Sequence, residues 1–434
     1  MSKIFKLSGS RKQSGKLTPA LSCTRTNVNA GTSESKNGGL LIYLTICFFV
    51  LPAQAKYEGG SGTAGDPYLI YTAEQMNEIG ANPGDWNKHL MLIADVNMSD
   101  IAGTDYNVIE TFTGIFDGNN CTISNFSLTS TREENTGLFG TVGGEIINLG
   151  LLNPNIFAQG RSVGSLTGYL NEGSITNCYA KGAVVSGGLY VGGLIGLNTG
   201  NVTKCGSTGS VSGDAYVGGL VGQVGDGKVM MCYSRASVSG NRNVGGLVGK
   251  TADEAGEVTH CYAIGSVEGN TYVGGLVGQV ERGNAYKSYS TGSVSGTQYV
   301  GGLVGHTRVL GRVSQSFWDT QTSGQTTSAG GTGKITVQMQ LRNTFISAGW
   351  DFWNTWEICE ETNYPVLQWQ IPAADFLCPD GVNFIDFAFF ADHWEQNFCN
   401  EANGYCDGTD LNQSGSVDIW DLEIFTELWL EGFK

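Results

Sequence analysis

Short apolar segments interrupted by paired glycines recur through the middle of this chain. The segment YVGGLVG occurs at 216–222, 272–278 and 299–305, with close variants at 190–196 and 243–249. The first valines of successive copies lie 26 to 29 residues apart: Val163, Val191, Val217, Val244, Val273 and Val300. A period this regular predicts a solenoid, in which each repeat packs only on its neighbours.

Each repeat contains three short pieces with strand-like alternation. They are the VGGLVG segment, a piece such as VMMCYS at 229–234, and a piece such as GSVSG at 209–213. Three strands and three bends in about 27 residues describe one coil of a right-handed parallel β-helix, with coils about 4.8 Å apart. We predict six or seven coils over 137–330. Within VGGLVG, strict alternation places Val217 and Val221 on one face and Leu220 on the other.

Equivalent positions of successive coils stack in columns. One column contains Cys178, Cys205, Cys232 and Cys261, followed by Ser288 and Ser316. We interpret it as a row of small, buried and unbridged side chains, because parallel Cβ directions do not suit a disulfide. A metal or redox column is the alternative.

Open solenoid ends expose unpaired strand edges and need caps. At the start, residues 56–136 should form an N-terminal cap and the first coils, with a helix capped by Thr72 and Gln75 and stopped at Gly80. At the end, residues 331–372 should form a C-terminal cap, whose aromatic stretch 345–358 is interpreted as a lid over the core.

The repeated VGGLVG segment, followed by segments like CYAIG, resembles the bacterial GLUG-repeat family over residues 137–330. The segments FTGIFDGNNCTISNFSL at 112–128 and AGWDFWNTWEI at 348–358 are similar to its usual flanks. This resemblance implies an exported bacterial solenoid, often part of a surface protein, with no established chemistry in the repeat itself.

The composition and charge of the chain indicate its type of structure and the kinds of partner it is expected to bind. The chain has 65 glycines and only 8 prolines in 434 residues, which favours turn-dense β structure.

The apolar run at 40–51, followed by Pro52-Ala53-Gln54-Ala55, predicts a signal peptide over 1–55. It therefore predicts export to the medium, cell surface or envelope, with no transmembrane segment in the mature chain. Its removal leaves 17 basic and 39 acidic residues, a net charge of −22. Nucleic acid is therefore not an expected partner.

One repeat partly matches the sequence motif of a nucleotide-binding loop. NVGGLVGKT at 243–251 has Gly249, Lys250 and Thr251 in place, but the first glycine of the motif would be Val244. The position of Lys250 is Leu, Gln, Gln or His in the other copies. We therefore expect no nucleotide binding.

The C-terminal segment 373–434 carries a second type of pattern. Residues 375–434 hold 13 acidic residues and one lysine. DLNQSGSVDIWD at 410–421 has the spacing of a twelve-residue calcium loop, with a bend-forming Gly415 and an apolar helix face behind it. The predicted Ca²⁺ ligands are Asp410, Asn412, Ser414, Ser416, Asp418 and Asp421.

A degenerate copy of this loop lies at 375–386. Asp375, Asn383 and Asp386 align, but Leu377 and Pro379 occupy two ligand positions. Whether this copy binds metal is left open. The paired loop-helix units resemble a type I dockerin, which implies an α-helical, calcium-dependent module that binds a cohesin-like or other envelope protein.

In the dockerin family, loop positions 10 and 11 contact the partner and are often polar. Here they are Phe384, Ile385, Ile419 and Trp420, which we predict to form one exposed apolar docking patch. A calcium-stabilised mini-domain without a partner is the alternative. Cys359, Cys378, Cys399 and Cys406 allow three disulfide pairings, and at least one disulfide is expected.

Catalysis has weak support in the sequence. None of the four histidines lies in an HExxH motif. The best candidate for a catalytic site is the edge of the solenoid that follows the VGGLVG segment. It contains Asp226, Asp253, Glu254 and Glu281, with Lys228, Arg282 and Arg308 nearby. We predict an all-β, exported, non-catalytic solenoid for adhesion, binding or scaffolding that presents a flank to a polysaccharide or cell-surface ligand. The alternative is a tethered polysaccharide lyase or hydrolase.

Overall fold

The computed structural model describes residues 56–131, 133 and 135–431. Residues 54–434 form one compact unit, and the account below concerns that unit. The predicted signal peptide at 1–55 lies outside the described residues.

Three parallel sheets form a β-solenoid of about eight turns. The first sheet has ten strands: Tyr68–Ile70, His89–Leu92, Ile115–Asp117, Glu145–Ile147, Ser174–Thr176, Asn201–Thr203, Lys228–Met230, Glu257–Thr259, Asn284–Tyr286 and Arg312–Ser314. The second sheet has eight strands: Ile109–Phe112, Phe139–Val142, Thr167–Leu170, Ile195–Asn198, Val221–Val224, Val248–Thr251, Val277–Val280 and Val304–Thr307.

The third sheet is the largest, because most coils contribute two or three strands to it. Its nineteen strands are Val96–Asn97, Ala102–Gly103, Thr122–Ser124, Ser127–Ser130, Gly150–Leu152, Asn155–Ala158, Ser162–Val163, Tyr179–Ser186, Tyr190–Gly192, Gly206–Gly218, Tyr233–Ser234, Ser237–Gly245, Tyr262–Ala263, Val267–Gly274, Tyr289–Ser290, Val294–Ser295, Gln298–Gly301, Phe317–Asp319 and Thr332–Lys334. The sequence prediction of a parallel, mostly β solenoid with repeats of about 27 residues is confirmed.

The VGGLVG segment is not one strand, which corrects the predicted alternation. A strand of the third sheet ends at Gly218, and a strand of the second sheet begins at Val221. The chain bends between them, so Val217, Leu220 and Val221 are all fully buried (0% exposed) in the solenoid core. A Cβ on Gly219 would lie 2.1 Å from the Gly246 carbonyl oxygen, so the bend requires a residue without a side chain.

The cysteine column lies inside the solenoid, as expected. Cys178, Cys205, Cys232 and Cys261 are buried and unbridged. The Cys205 amide donates to Cys232 Sγ at 3.4 Å, and the Cys261 amide donates to Ser288 Oγ at 3.0 Å. Serine therefore continues the column because its hydroxyl accepts the same backbone hydrogen bond as the thiol.

From the strand Glu145–Ile147 onward, each turn from the first sheet to the third passes through a residue with left-handed backbone angles. This turn column contains Asn148, Asn177, Lys204, Met231, His260, Lys287 and Gln315, with φ between 47° and 54°. Asparagine tolerates this conformation best among residues with side chains, and occupies the column's first two positions.

The N-terminal cap contains the predicted helix, Ala73–Ala81, followed by the 3-10 helix Pro83–Asp85. Thr72 and Gln75 form the expected capping box. Gly80 does not stop the helix. A Cβ there would lie 1.8 Å from the Asn107 carbonyl oxygen, so this glycine permits close packing instead.

The C-terminal cap differs from a simple lid. Residues 327–329 form backbone hydrogen bonds with the open edge of the last coil. The Gly302 amide donates to the Thr327 carbonyl oxygen, and the Ala329 amide donates to the Val304 carbonyl oxygen. The following flank segment, defined as residues 336–371, packs along the outside of the solenoid. Its elements are the helices Thr336–Met339 and Arg342–Ile346, the antiparallel strands Trp356–Glu357 and Val366–Leu367, and the 3-10 helix Gln368–Gln370.

An aromatic column on the third sheet explains this position. Tyr233, Tyr262, Tyr289 and Phe317 stand on successive coils, with ring centroids 5.5 Å apart for the first pair and 5.3 Å apart for the second. The aromatic side chains of the flank segment bury this column in a separate core cluster that includes Phe345, Trp350 and Trp356.

The C-terminal tail, residues 375–431, has a third core cluster that includes Phe390, Val417 and Phe425. Its helical elements are Phe384–Asp392 (the first tail helix), the 3-10 helix Glu401–Asn403, the irregular helical turn Gly404–Asp407, and Ile419–Glu431 (the second tail helix). Disulfides join Cys359 to Cys378 and Cys399 to Cys406, which selects one of the three open pairings.

Candidate metal centre

The second loop, residues 410–421, is built around two buried carboxylates. Asp410 is 2% exposed and Asp421 is 0% exposed. Asp410 accepts backbone hydrogen bonds from Ser414 at 3.0 Å and Gly415 at 2.9 Å. Asp421 accepts from Asn412 at 3.0 Å and Asp418 at 2.9 Å. The first and last residues of the loop therefore hold its backbone in a closed conformation.

The other four sequence-predicted ligands lie in the same loop. Asn412 Oδ1 accepts from the Ser414 amide at 2.9 Å, and Ser414 Oγ donates to the Ser416 carbonyl oxygen at 3.3 Å. Ser416 Oγ donates to Asp418 Oδ2 at 3.3 Å, while Asp418 Oδ1 accepts from the Trp420 amide at 2.9 Å. All six side chains thus belong to one hydrogen-bonded loop, with Gly415 at φ 99° providing the bend.

Charge balance in the tail is unusual. Residues 375–431 contain no Lys or Arg that could neutralise Asp410 and Asp421, and the one histidine of the tail, His393, lies against Asp407 instead. A buried carboxylate is costly unless a cation or several hydrogen bonds compensate it. Oxygen-only ligands at this spacing suit a hard cation such as Ca²⁺.

The first loop, residues 375–386, brings three carboxylates together. One oxygen each of Asp375, Asp380 and Asp386 lies within 4.8 Å of the other two. Asp375 is 9% exposed, and its Oδ1 has no hydrogen-bond partner in the described residues. Burial, together with the neighbouring Asp386 and Asp380 carboxylates, raises the pKa of Asp375 to about 6. This arrangement is able to hold a cation.

Sequence alignment of the two loops missed Asp380. It occupies the position of Gly415, where the loop pattern requires a glycine rather than a ligand. In the first loop the left-handed glycine is the next residue, Gly381, at φ 96°. The pair Asp380-Gly381 is the sequence feature that could have identified this third carboxylate. Because Gly381 makes the turn, Asp380 lies close to Asp375 and Asp386.

The four predicted docking residues are exposed, but they do not form one patch. Phe384, Ile385, Ile419 and Trp420 are 79%, 63%, 59% and 63% exposed. The Phe384 ring lies 4.9 Å from Trp429, and Phe390 lies 5.2 Å from Phe425, so the two tail helices run antiparallel. Trp429 is ten residues after Ile419, about 15 Å along the second tail helix. The expected single patch is therefore two apolar pairs at opposite ends of the helix pair.

The charged edge proposed for catalysis is partly neutralised. Glu281 pairs with Lys250 and, at 3.3 Å, with Arg308. The hydrogen bond from Lys250 lowers the pKa of Glu281 below its usual range. Lys250 itself lies on the strand Val248–Thr251 rather than in a phosphate-wrapping loop.

A serine motif that sequence reasoning overlooked is also structural. Gly160-Arg161-Ser162-Val163-Gly164 has the GxSxG spacing of a hydrolase nucleophile. Ser162 is 2% exposed and lies in the strand Ser162–Val163. The motif requires an exposed serine at a strand-to-helix turn, which this position does not provide.

The architecture defines the class of this chain as a β-solenoid repeat protein. The family model described as the GLUG motif matches residues 159–185, 240–268 and 269–295. The solenoid therefore contains GLUG motifs, in the region where the sequence resemblance lay.

Two curated relatives share part of this region. A stretch of 149 residues, 32% of the chain, is 36% identical to Halomucin of Haloquadratum walsbyi and covers 2% of that protein. A stretch of 132 residues, 28% of the chain, is 33% identical to a protein of Evansella cellulosilytica described as a Gly-rich membrane protein, and covers 15% of it. The chain thus spans a small part of each relative.

Among solved structures, a protein of Bacteroides ovatus provisionally named an immunoglobulin A1 protease is similar to this chain. The likeness covers 72% of this chain and 96% of that one, at 23% sequence identity and a TM-score of 0.46. Within the described residues, no helix has the length and apolar character needed to span a membrane.

Proposed function

We propose that this protein is an exported, non-catalytic β-solenoid scaffold whose C-terminal tail is a calcium-dependent, dockerin-like attachment module. The observation that carries the proposal is the buried pair Asp410 and Asp421 in a tail without Lys or Arg between residues 375 and 431. A divalent cation compensates these charges and joins the two ends of the loop. Removal of the cation leaves like charges in a buried site, which destabilises the folded tail.

Export is supported by the two disulfides near the C-terminus. Cys359–Cys378 and Cys399–Cys406 require an oxidising compartment to form and persist. The predicted leader at 1–55 is consistent with this compartment, and the strongly acidic mature chain suits a soluble extracellular surface.

Attachment is supported by the two exposed apolar pairs at the starts of the tail helices. Phe384 with Ile385, and Ile419 with Trp420, are exposed at the starts of the helices that follow the two loops. We propose that each pair is a docking edge for a cohesin-like or other envelope protein, and that calcium positions the edge by closing its loop. Exposed aromatic and aliphatic anchors of this kind are the common energetic centres of protein interfaces.

The test is a calcium titration of the chain 56–434, followed by calorimetric melting with calcium and with chelator. We expect calcium to raise only the transition of the tail, since a ligand stabilises the form that binds it. Asp421→Ala should weaken calcium binding by more than tenfold. Glu427→Ala, which removes an exposed acidic side chain from the second tail helix, is the matched control. Identical melting of the wild type in calcium and in chelator would contradict the proposal.

The stoichiometry of the same titration addresses the first loop. If Asp375, Asp380 and Asp386 hold a second cation, wild-type protein binds two calcium ions and Asp380→Asn binds one. A single ion in the wild type that is lost in Asp421→Ala places the metal in the second loop and leaves the attachment proposal intact.

A polysaccharide lyase or hydrolase is the alternative function. A general acid at neutral pH needs a raised pKa, whereas the pKa of Glu281, on the best charged edge, is lowered. A reducing-end assay on plant and algal polysaccharides is the direct test, and turnover that is lost in Glu281→Gln would favour the enzyme over the scaffold.

A further inference from the structure

A cavity of about 470 Å³ opens on the solenoid where the flank segment ends. Its volume lies within the range of ordinary ligand pockets. The flank segment covers the aromatic column from Phe317 back to Tyr233 and stops there with Trp369. The cavity continues along the same face of the solenoid towards the N-terminus, beyond the reach of that segment.

Two tyrosines line this cavity at a spacing of two coils. Gly150, Tyr179, Gly206 and Tyr233 occupy the same position of four successive coils. A Cβ on Gly150 would lie 2.5 Å from Tyr179 Cζ, and one on Gly206 would lie 2.2 Å from Tyr233 Cε1. Each ring therefore leans over a glycine, and the two rings are about 10 Å apart along the solenoid. Tyr233 itself is 3% exposed and covered by Trp369, so the two rings presented to the cavity are Tyr179 and Trp369.

The far wall of the cavity is fixed by Trp369. Its Nε1 donates to the Met231 carbonyl oxygen at 2.9 Å, and its ring centroid lies 6.0 Å from that of Tyr233. The indole is thus held in place by the solenoid rather than free to collapse into the cavity. A rigid aromatic wall of this kind suits the flat, apolar face of a sugar ring.

The cavity gathers positive charge in an acidic protein. Lys181, Lys204 and Arg235 line it, whereas its one carboxylate, Asp95, is engaged by the Thr122 amide at 2.7 Å. Lys181 and Lys204 form no ion pair with any described residue. The whole chain has a net charge of −16, so this concentration of cations is local.

An amide ladder supplies neutral polar groups beside the lysines. Asn177 Nδ2 donates to Asn148 Oδ1 at 2.9 Å, and Asn148 Nδ2 donates to Asp117 Oδ1 at 3.1 Å. Asn177 Oδ1, the last acceptor of the ladder, accepts no hydrogen bond from the described residues. A hydroxyl group of a ligand is a suitable donor for it.

We propose that this cavity binds an acidic polysaccharide, a chain of pyranose rings that carries carboxylate or sulfate groups. The ring faces stack on Tyr179 and Trp369, the anionic groups pair with Lys181 and Lys204, and hydroxyl groups bond to the asparagine ladder. An acidic peptide would use the lysines but not the ladder or the spaced rings. The proposal names the ligand of the proposed scaffold, so it rests on that function, but it involves no residue of the calcium loops.

A second cavity, of about 530 Å³ at the N-terminal cap, does not offer this chemistry. Its lining includes Tyr106 and Glu110 but no Lys, Arg or His. Among the described residues, it therefore has no cation with which to neutralise an anionic sugar.

The experiment measures binding of the chain 56–434 in chelator, so that the calcium loops make no contribution. The probes are polygalacturonate, a sulfated galactan, neutral dextran and poly-glutamate. We expect one or both acidic polysaccharides to bind, more weakly at high salt, and dextran and poly-glutamate to bind far less. The first two probes distinguish carboxylate from sulfate recognition.

Matched variants locate the site. Lys204→Ala should weaken polysaccharide binding about tenfold, the usual effect of one lost charge-assisted hydrogen bond. Lys287→Ala should have no effect, because Lys287 occupies the same turn position three coils away, outside the cavity. Tyr179→Phe should bind like the wild type, whereas Tyr179→Ala should lose about tenfold.

Three results would overturn the proposal: no binding of either acidic polysaccharide, equal loss in Lys204→Ala and Lys287→Ala, or poly-glutamate binding as tight as that of the polysaccharides. Asp421→Ala tests whether polysaccharide binding is independent of the proposed calcium-dependent attachment. If this variant loses calcium stabilisation but keeps polysaccharide binding, the two sites are independent. If calcium has no effect on the wild type while the cavity still binds, only the attachment module is refuted.

Discussion

At the scale of single residues, glycines set the geometry of the bends in the solenoid. Gly218, Gly245, Gly274 and Gly301 occupy the same bend in successive coils. A Cβ on Gly245 would lie 2.0 Å from the Val248 carbonyl oxygen and 2.7 Å from the Gly278 amide. Both neighbours are backbone atoms that hydrogen-bond between coils, so they have little freedom to move away.

Gly245→Ala should therefore destabilise the solenoid by about 3 kcal/mol or more, at the upper end of the usual cost of overpacking. Chemical denaturation monitored by tryptophan fluorescence measures this loss. Gly84→Ala is the control, since a Cβ there meets no heavy atom within 4 Å. Equal stability of the two variants would show that the bend can relax around a methyl group.

At the scale of the element, the column of small side chains holds neighbouring coils in register. Burial raises the pKa of the Cys178, Cys205 and Cys232 thiols well above their usual range. Each thiol also donates to a carbonyl oxygen, as Cys232 does to Met230 at 3.1 Å. These cysteines therefore act as structural hydrogen-bonding residues, and the metal or redox interpretation of the column gains no support.

Thiol labelling at mildly alkaline pH should distinguish the column from Cys121. In native protein, Cys121 should react, because it is partly exposed, while the four column cysteines remain unmodified. Burial keeps all four column thiols away from the reagent, and the raised pKa of Cys178, Cys205 and Cys232 further lowers their thiolate fraction. Mass spectrometry after denaturation without reductant should show four further labels; fewer labels would indicate disulfides within the column.

The flank segment is held by the aromatic column on the third sheet. Tyr289 stacks on Tyr262 at 5.3 Å, and its hydroxyl donates to the Pro365 carbonyl oxygen at 2.6 Å. Its ring is therefore central to the contact between the solenoid and residues 336–371.

Tyr289→Ala should cost about 3 to 5 kcal/mol of stability, the range for removal of a large buried aromatic side chain. Tyr289→Phe should cost about 1 kcal/mol, because only one hydrogen bond is lost. Limited proteolysis should cut the flank segment faster in the alanine variant. Tyr299→Ala, at a 56% exposed position of a neighbouring strand, provides the control, and cleavage at the same rate in both would argue against this role.

At the scale of the whole molecule, the solenoid, the flank segment and the tail are successive layers with different means of stabilisation. The solenoid relies on one continuous core, the flank segment on an aromatic cluster, and the tail on a small core with one internal disulfide. Cys359–Cys378 links the flank segment to the tail, where Asn363 Nδ2 also donates to the Pro379 carbonyl oxygen at 3.0 Å.

Replacement of both Cys359 and Cys378 by serine should destabilise this junction by about 3 kcal/mol, the value expected for a loop of this size. Calorimetry should show a lower melting transition for the tail and an unchanged transition for the solenoid. Cys121→Ser, which removes a thiol without breaking a disulfide, should change neither. A shift of the solenoid transition would mean that the layers unfold as one unit.

The sequence by itself determined the repeat, the coil and the composition of the second loop. These features depend on residues close together in the chain or one repeat apart, so periodicity and ligand spacing report them directly. The cysteine column and the Thr72 capping box follow for the same reason. The alternation within VGGLVG was wrong because bends at glycine reset the direction of side chains, and alternation holds only within an unbroken strand.

Only the tertiary structure decided how distant segments meet. The contacts of the flank segment join residues 108 and 138 positions apart, Tyr262 with Gln370 and Met231 with Trp369, and no local pattern predicts them. The same holds for the cavity beside Trp369, the disulfide pairing, and the separation of Phe384 from Ile419 by antiparallel helices. Each depends on which surfaces bury the most apolar area together, a property of the assembled fold rather than of any one segment.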